Sequence, residues 1–568
     1  MFNDELAEIF SELADMEEIE GQKWESLAYR RVAMSIAGLG EDIREISRRN
    51  ELRKIDGVGA AIEKKIQQYI EEGRITAYDN LKKKYPVDFK QLRKIQGLGA
   101  KKIASLYVNL GITNVSDLRA AIESHKISKL PGFGEKTEIN LSKSLEVSLS
   151  AGPARVPLGK AYPDIMELKN FLDDSSIFER VTVAGSTRRM KETIGDVDIL
   201  AIAKDRSKAA EVLVESDRVS GTVVRGESKI TVNLKIGITC DLRLIDEGSF
   251  GAALQYFTGS KEHNIHLRNI AIASGMKLNE YGLFSGEKRI AGRTEEEIYS
   301  GLGMDYIEPE LRENTGEIEA AMSHALPNIV GYEQIRGDTH THTVDSDGSN
   351  TVEEMMMQAR RNGLEYIVFT NHSKSLRVAN GLDEAGFRDL NKRIDETSSK
   401  LNFPALKGVE LEILNDGSLD LGEAVLSEMD FVLASLHQFV TGDANKNTER
   451  VVKAIHSGLI NGIAHPTGRL IGKREPYKLD MDRIIAECST TGVCLEINGD
   501  PFRSDLPADI VRRAVNSGVK FSLGSDAHNI ADLSNLRFAT AIARRGWLGR
   551  DQVINTLTLE NFRKVMSR

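Results

Sequence analysis

The chain has 568 residues, 40% hydrophobic and 28% charged, which at roughly 150 residues per domain means three or four domains and excludes a single small module. No apolar run approaches the ~18 residues of a membrane span, the acidic amphipathic start MFNDELAEIFSEL is no secretory signal, and Cys240, Cys488 and Cys494 form neither a disulfide framework nor a zinc knuckle. A soluble protein of a reducing cytoplasm is expected. The net charge of −10 is unevenly spread: residues 1–25 carry nine acids and one Lys, residues 26–150 carry 23 Lys and Arg against 15 Asp and Glu, and the rest is acidic. That division suits a polyanion-binding region joined to acidic, metal-holding sites.

In chain order, Leu6, Ile9, Phe10, Leu13 and Met16 recur at helical spacing and predict a helix with a core-facing side and a solvated acidic side. Three segments then share one pattern: Ile55-Asp56-Gly57-Val58-Gly59, Ile95-Gln96-Gly97-Leu98-Gly99 and Leu130-Pro131-Gly132-Phe133-Gly134. Paired glycines permit positive φ and close backbone approach. Amides opening the following helix form an anion site, with Lys64, Lys65, Lys101, Lys102 and Lys136 within reach. One such turn is as readily a plain helical connection, but three argue for phosphate contact. They resemble helix-hairpin-helix motifs, which grip the DNA backbone without reading sequence. Residues 1–150 are assigned to DNA binding through Gly57, Gly59, Gly97, Gly99, Gly132 and Gly134.

Val181–Ala184 reads as a strand, and Gly185-Ser186-Thr187-Arg188-Arg189 as a phosphate cradle. In Gly195-Asp196-Val197-Asp198-Ile199-Leu200, alternation sets both carboxylates on one face and Val197, Ile199 and Ala201 on the other. A second alternating strand, Ile238–Ile245, can place Asp241 beside them. Three such carboxylates repel unless divalent cations sit between them, and oxygen ligands near phosphate favour Mg²⁺. A lone Asp-x-Asp is usually an exposed strand edge; the cradle before it argues instead for in-line phosphoryl or nucleotidyl transfer.

Together with Tyr256-Phe257-Thr258-Gly259-Ser260-Lys261-Glu262-His263-Asn264, these residues resemble the family X DNA polymerases of the DNA polymerase beta type, over residues 1 to about 315. The resemblance implies a nucleotidyltransferase palm and thumb over 151–320. In it Asp196 and Asp198 bind both metals, and Asp241 binds the catalytic one and helps activate the primer 3′-OH. Gly185, Ser186, Arg189 and Gly195 hold the triphosphate, Tyr256 and Phe257 flank the sugar, and Asn264 and Arg268 probe the nascent pair. Ser260 is expected to cap the helix on which Asn264 and Arg268 share a face. Met190 stands where the family often has Gly. Some relatives carry a 5′-deoxyribose-phosphate lyase, whose Schiff-base position falls at Lys65, but Glu25 and Ala61 occupy two supporting basic positions.

From about residue 335 a short apolar run ending in a metal-capable residue recurs seven times, about thirty residues apart, each followed by a helix-like stretch. This is the size of a βα unit, and a parallel barrel would bring the strand ends to one face. Six of the eleven histidines lie at these ends, whereas His125, His263, His266, His324 and His456 are read as core or surface residues. Mixed nitrogen and oxygen donors suit two or three Mn²⁺, Zn²⁺ or Fe²⁺ ions that activate water. Gly337-Asp338-Thr339-His340-Thr341-His342-Thr343 through Ser346-Asp347-Gly348, Thr370-Asn371-His372-Ser373 and Ser525-Asp526-Ala527-His528 resemble the polymerase and histidinol phosphatase (PHP) domain. That resemblance implies a distorted (β/α)7 barrel over 321–568 with ligands His340, His342, Asp347, His372, Glu410, His437, His465, Asp526 and His528. Asn371 replaces a usual Asp, and Arg469 and Lys473 are candidates for substrate phosphate or for a surface role.

The expectation is therefore a multidomain α/β and α+β protein. It would be a polymerase that fills short gaps in base excision repair with Mg²⁺, with a barrel that trims 3′ ends with Mn²⁺ or Zn²⁺, or acts on abasic sites or 3′-phosphates. Gapped or primed DNA and dNTPs are its partners, and it acts as a monomer without a membrane. The alternatives are a DNA-end-binding scaffold with a structural barrel and weak nucleotidyl transfer, or a small-molecule phosphomonoesterase, which the basic repeats disfavour.

Overall fold

The computed structural model describes residues 2–37, 43–55, 57–93, 95, 98–149, 155–225, 228–440 and 442–567. It divides into two compact units, Met1–Arg155 and Val156–Arg568. Among the described residues no helix is long and apolar enough to cross a membrane, and all three cysteines are buried free thiols.

The first unit is helical. Its opening helix, Phe2–Ile19, buries Leu6, Phe10, Leu13 and Met16 completely, as the spacing predicts. The acidic side is not all solvated, however. Asp15 is buried against Arg30 and Arg93, and Glu12 accepts from Tyr78 Oη at 2.8 Å and Lys82 Nζ at 2.5 Å. Carboxylates leave water when charged donors replace it.

In the second unit a five-stranded sheet has the order Phe178–Val183, Asp196–Ala203, Thr239–Leu244, Lys229–Leu234, Val219–Arg225. The two carboxylate-bearing strands are the parallel central pair, and the others are antiparallel to their neighbours. Val197, Ile199 and Ala201 face a buried core, as alternation requires. Helices Phe250–Thr258 and Lys261–Ala273 follow, with a three-stranded antiparallel sheet. Ser260 caps the second of these helices, accepting from His263 N at 3.2 Å.

All seven expected βα units form one parallel sheet in sequential order, with strands Gly337–Thr341, Tyr366–Phe369, Ala405–Glu412, Phe431–Ser435, Gly462–Ile463, Cys494–Asn498 and Phe521–Gly524. First and last are drawn together by Thr339 Oγ1 donating to the Leu523 carbonyl at 2.9 Å and by a bridge between Thr341 and Ala527. The five histidines read as core or surface have partners of their own outside the cluster. His263 is buried against Glu317 and Tyr299, and the other four pair with Glu138, Asn314, Asp305 and Glu487.

Candidate active sites

In the first unit, Gly57 and Gly132 both adopt φ +82°, and Val58, Leu98 and Phe133 each donate to the carbonyl three residues back. Gly97 lies outside the described residues. Gly59 and Gly99 cap helices Ala60–Glu72 and Ala100–Leu110 without a side-chain hydrogen bond, so no capping side chain competes for their first amides. Gly134 opens the third helix, its carbonyl accepting from Thr137 and Glu138. Lys65 stands 5.8 Å over the Tyr29 ring, with Glu25 and Ala61 exposed.

On the central strands, Asp198 pairs in register with Asp241, and Asp196 lies two residues back on the same face. The cradle rests on this pair. Gly185 has φ +63°, which favours glycine, and a Cβ there would lie 2.6 Å from Asp198 Oδ2, so any side chain would displace that carboxylate. Burial and then the Asp196 charge push the Asp198 carboxyl up to about 6, a penalty a divalent cation would relieve. Two cations absent from the sequence reading stand here. Lys229 Nζ is 2.7 Å from Asp241 Oδ2, and Arg243 reaches Asp241 at 3.3 Å while stacking 4.1 Å from the Phe257 ring. Thr231 Oγ1 also donates to Asp241 at 2.6 Å.

Arg188 and Arg189 are both engaged by the segment that follows the palm. Arg188 makes a two-pronged pair with Glu295 at 2.9 and 2.6 Å; Arg189 holds Glu313 at 3.0 Å and the Thr258 carbonyl. Ser186 is half-buried in the turn, and Gly195 directly precedes the Asp196 strand. The Tyr256 and Phe257 rings meet edge-on at 5.0 Å. Asn264 spends its amide inside the protein, accepting from Gln255 at 2.8 Å and donating to the Tyr256 carbonyl at 2.6 Å, while Arg268 donates to its carbonyl at 3.3 Å.

All nine barrel residues meet at the strand ends. Donor atoms of His342, Asp347, His372 and His528 lie within 4.8 Å of one another, as do those of His340, His342 and Asp526, and of His372, Glu410 and His437. His465 Nε2 joins Glu410 at 2.8 Å. Burial, with His528 and His372 adding repulsion, pushes the His342 imidazole down to about 3, and its buried Nδ1 has no hydrogen-bond partner. Burial at His372 is outweighed by Glu410 and Asp347, which hold it up at about 10. Neutral nitrogens and ionised carboxylates converging in a buried cluster fit divalent transition ions, whose binding must expel such protons.

Several partners were missed in the sequence. Glu496, wholly buried, accepts from His340 Nδ1 and from the His465 amide, both at 2.6 Å, and Glu412 holds His437 Nδ1 at 2.9 Å. These orient ligand rings. Arg503 reaches Asp526 at 3.2 Å, and its buried Nη1 has no hydrogen-bond partner. Asn371 serves the loop rather than His372: its Oδ1 accepts from the Thr343 amide at 2.9 Å and from Ser346 Oγ at 2.7 Å, ordering the turn that carries Asp347. Arg469 is taken up by Glu192 at 2.9 Å and by the carbonyls of Arg503 and Ser504, and Lys473 lies 5.0 Å over Phe502.

Family models match four segments of the chain. A DNA polymerase beta thumb model matches residues 253–313, and a PHP domain model matches 338–499. A helix-hairpin-helix domain matches 1–75, and a SAM-like helix-hairpin-helix tandem matches 89–146. The chain is 35% identical over 549 residues to the DNA polymerase/3′-5′ exonuclease PolX of Bacillus subtilis (strain 168), covering 95% of each. It is also 30% identical over 231 residues to a probable phosphatase of Thermoanaerobacter sp. (strain X514), covering 39% of this chain and 89% of that protein. Tolumonas auensis has a further probable phosphatase, 28% identical over 228 residues. The chain belongs to the family X DNA polymerases that carry a PHP domain.

Proposed function

We propose that this chain fills short gaps in DNA during base excision repair and trims 3′ ends in its barrel as a 3′–5′ exonuclease, working as a cytoplasmic monomer on gapped or primed DNA with dNTPs. Functionally it comprises a DNA-binding region (1–150), a palm and nucleotide-selecting region (151–320) and a phosphoesterase barrel (321–568). The observation that carries the reading is that one chain holds two separate donor sets: a carboxylate pair in register under a glycine cradle, and eight clustered residues at the barrel strand ends with His465 joined to them through Glu410.

In the palm, Asp196, Asp198 and Asp241 would hold Mg²⁺, which would supply neutralisation of the charge that develops during nucleotidyl transfer to the primer 3′-OH. The cradle amides and Ser186 take phosphate oxygens, and Arg189 exchanges Glu313 or Thr258 for the triphosphate. In the barrel, the nine residues would hold two or three Mn²⁺ or Zn²⁺ ions, which would supply Lewis-acid activation of water. Glu496 and Glu412 fix the His340 and His437 rings, and Arg503 donates its unpartnered Nη1 to an oxygen of the scissile phosphate. The resemblance to probable phosphatases makes 3′-phosphate removal a second reaction for the same site.

The test is a time course on a one-nucleotide-gapped, end-labelled duplex with Mg²⁺ or Mn²⁺. Asp196→Ala/Asp198→Ala is expected to lose extension by at least about a hundredfold and keep shortening; His340→Ala/His342→Ala should do the reverse. Loss of both activities from either pair would rule out two independent sites.

A further inference from the structure

Behind the cradle, the palm rests on the barrel. Met190, directly after Arg189, has φ +52°, a left-handed conformation that is strained for a residue other than glycine. Its side chain is anchored in the palm core. Its carbonyl is anchored from the other side by Arg545 Nη1, which donates across 3.1 Å from the last turn of the barrel helix Leu536–Arg545. A second barrel residue holds the same loop two residues on, where Arg469 pairs with Glu192 at 2.9 Å.

Charge at this loop is unbalanced. Arg189 and Lys191 share Glu313 at 3.0 and 3.4 Å, and Arg545 lies close enough to act on both Lys191 and Glu313. Burial pushes the Glu313 carboxyl up, but the three cations outweigh burial and keep it ionised. One carboxylate thus faces three cations, and the surplus positive charge lies beside the turn that receives phosphate.

We propose that Arg545 is a positioning residue of the nucleotide site: through the Met190 carbonyl, the barrel fixes the loop from Arg189 to Gly195 in the shape that binds the incoming triphosphate, and adds positive charge to it. The barrel then serves the polymerase reaction as well as its own. This rests on the reading of residues 185–198 as the nucleotide and metal site.

The test uses the full-length protein on a one-nucleotide-gapped duplex. A dideoxy-terminated primer gives the dNTP Kd without chemistry, and an extendable primer gives KM and kcat. Wild-type protein that neither binds nor incorporates dNTP would overturn the underlying site assignment, whatever Arg545 does. Given wild-type activity, Arg545→Ala is expected to raise dNTP Kd and KM about tenfold, the scale of one charge-assisted hydrogen bond. It should leave kcat and the Kd for gapped DNA within about twofold and 3′–5′ shortening unchanged. Arg545→Lys should recover most of the affinity. If Arg545→Ala also loses shortening and melts early, the decision passes to Arg545→Lys and Arg545→Gln, with Lys expected to bind dNTP several-fold better than Gln. Wild-type dNTP affinity in Arg545→Ala, or Lys no better than Ala or Gln, would overturn the proposal.

Discussion

At Asp198, folding and function pull in opposite directions. Its carboxyl, 20% exposed and 3.8 Å from Arg243, is pushed up to about 6 by burial and by Asp196. A folded pKa above the unfolded value of about 3.9 means that ionisation destabilises the fold. The penalty is absent below about pH 4 and complete above about pH 6, on the order of 2 kcal/mol. Asp198→Asn is therefore expected to melt higher than wild type in EDTA at pH 7.5, with the difference narrowing as pH falls through 6, while polymerisation drops by at least about a hundredfold. Melting curves at both pH values check this; a difference independent of pH would mean that charge is not its source. The ligands themselves were legible because a carboxylate or imidazole ending an apolar strand run has few structural uses. Their partners were not. His340 and Glu496 are 156 residues apart in sequence, and Glu412, Arg243 and Lys229 sit at ordinary strand positions where only the register shows what they face.

Helix Glu295–Gly301 is tied to the cradle by its first residue. Glu295, buried, takes Arg188 at 2.6 Å and Arg312, itself wholly buried, at 2.5 Å. Burial alone would raise the Glu295 carboxyl, but Arg312 and Arg188 outweigh it and hold it at about 2. A depressed carboxylate stabilises the fold above its unfolded pKa of about 4.5, and that contribution fades as pH falls toward 2. Glu295→Gln keeps the shape but leaves Arg312 buried without a counter-charge. It is expected to destabilise the protein by roughly 3–5 kcal/mol at pH 7 and to raise the dNTP KM, since Arg188 belongs to the cradle. Urea unfolding at pH 7 and pH 3 checks the sign: the deficit should shrink at the lower pH. The seven barrel units were readable because each repeats the same strand ending. The acidic side of the first helix was misread because Arg30, Lys82 and Arg93, which draw Glu12 and Asp15 inward, come from other helices that periodicity within one helix cannot reveal.

Palm and barrel share one core. Phe538 and Ala541 of the barrel helix are buried with Ile199 and Leu242 of the palm strands, and Phe538 meets Tyr162 edge-on at 5.6 Å. A Cβ on Gly159 would lie 2.5 Å from Pro501 Cγ, so the palm helix Leu158–Asp173 approaches the loop that carries Arg503 as closely as backbone allows. Arg544 adds a buried pair with Glu310 at 2.8 Å. None of this was visible in the sequence, because Phe538 occupies what reads as an ordinary core position of an amphipathic helix. The consequence is cooperative: residues 156–568 should unfold in one transition. Phe538→Ala removes an aromatic ring that packs on the palm while riding on a barrel helix, and should cost about 3 kcal/mol. Hydrogen exchange is the discriminating measurement. If the core is shared, the substitution lowers protection in strand Asp196–Ala203 and in strand Cys494–Asn498 by similar factors. Protection lost from the palm strand alone would mean that the barrel folds independently and only lends a surface to the palm.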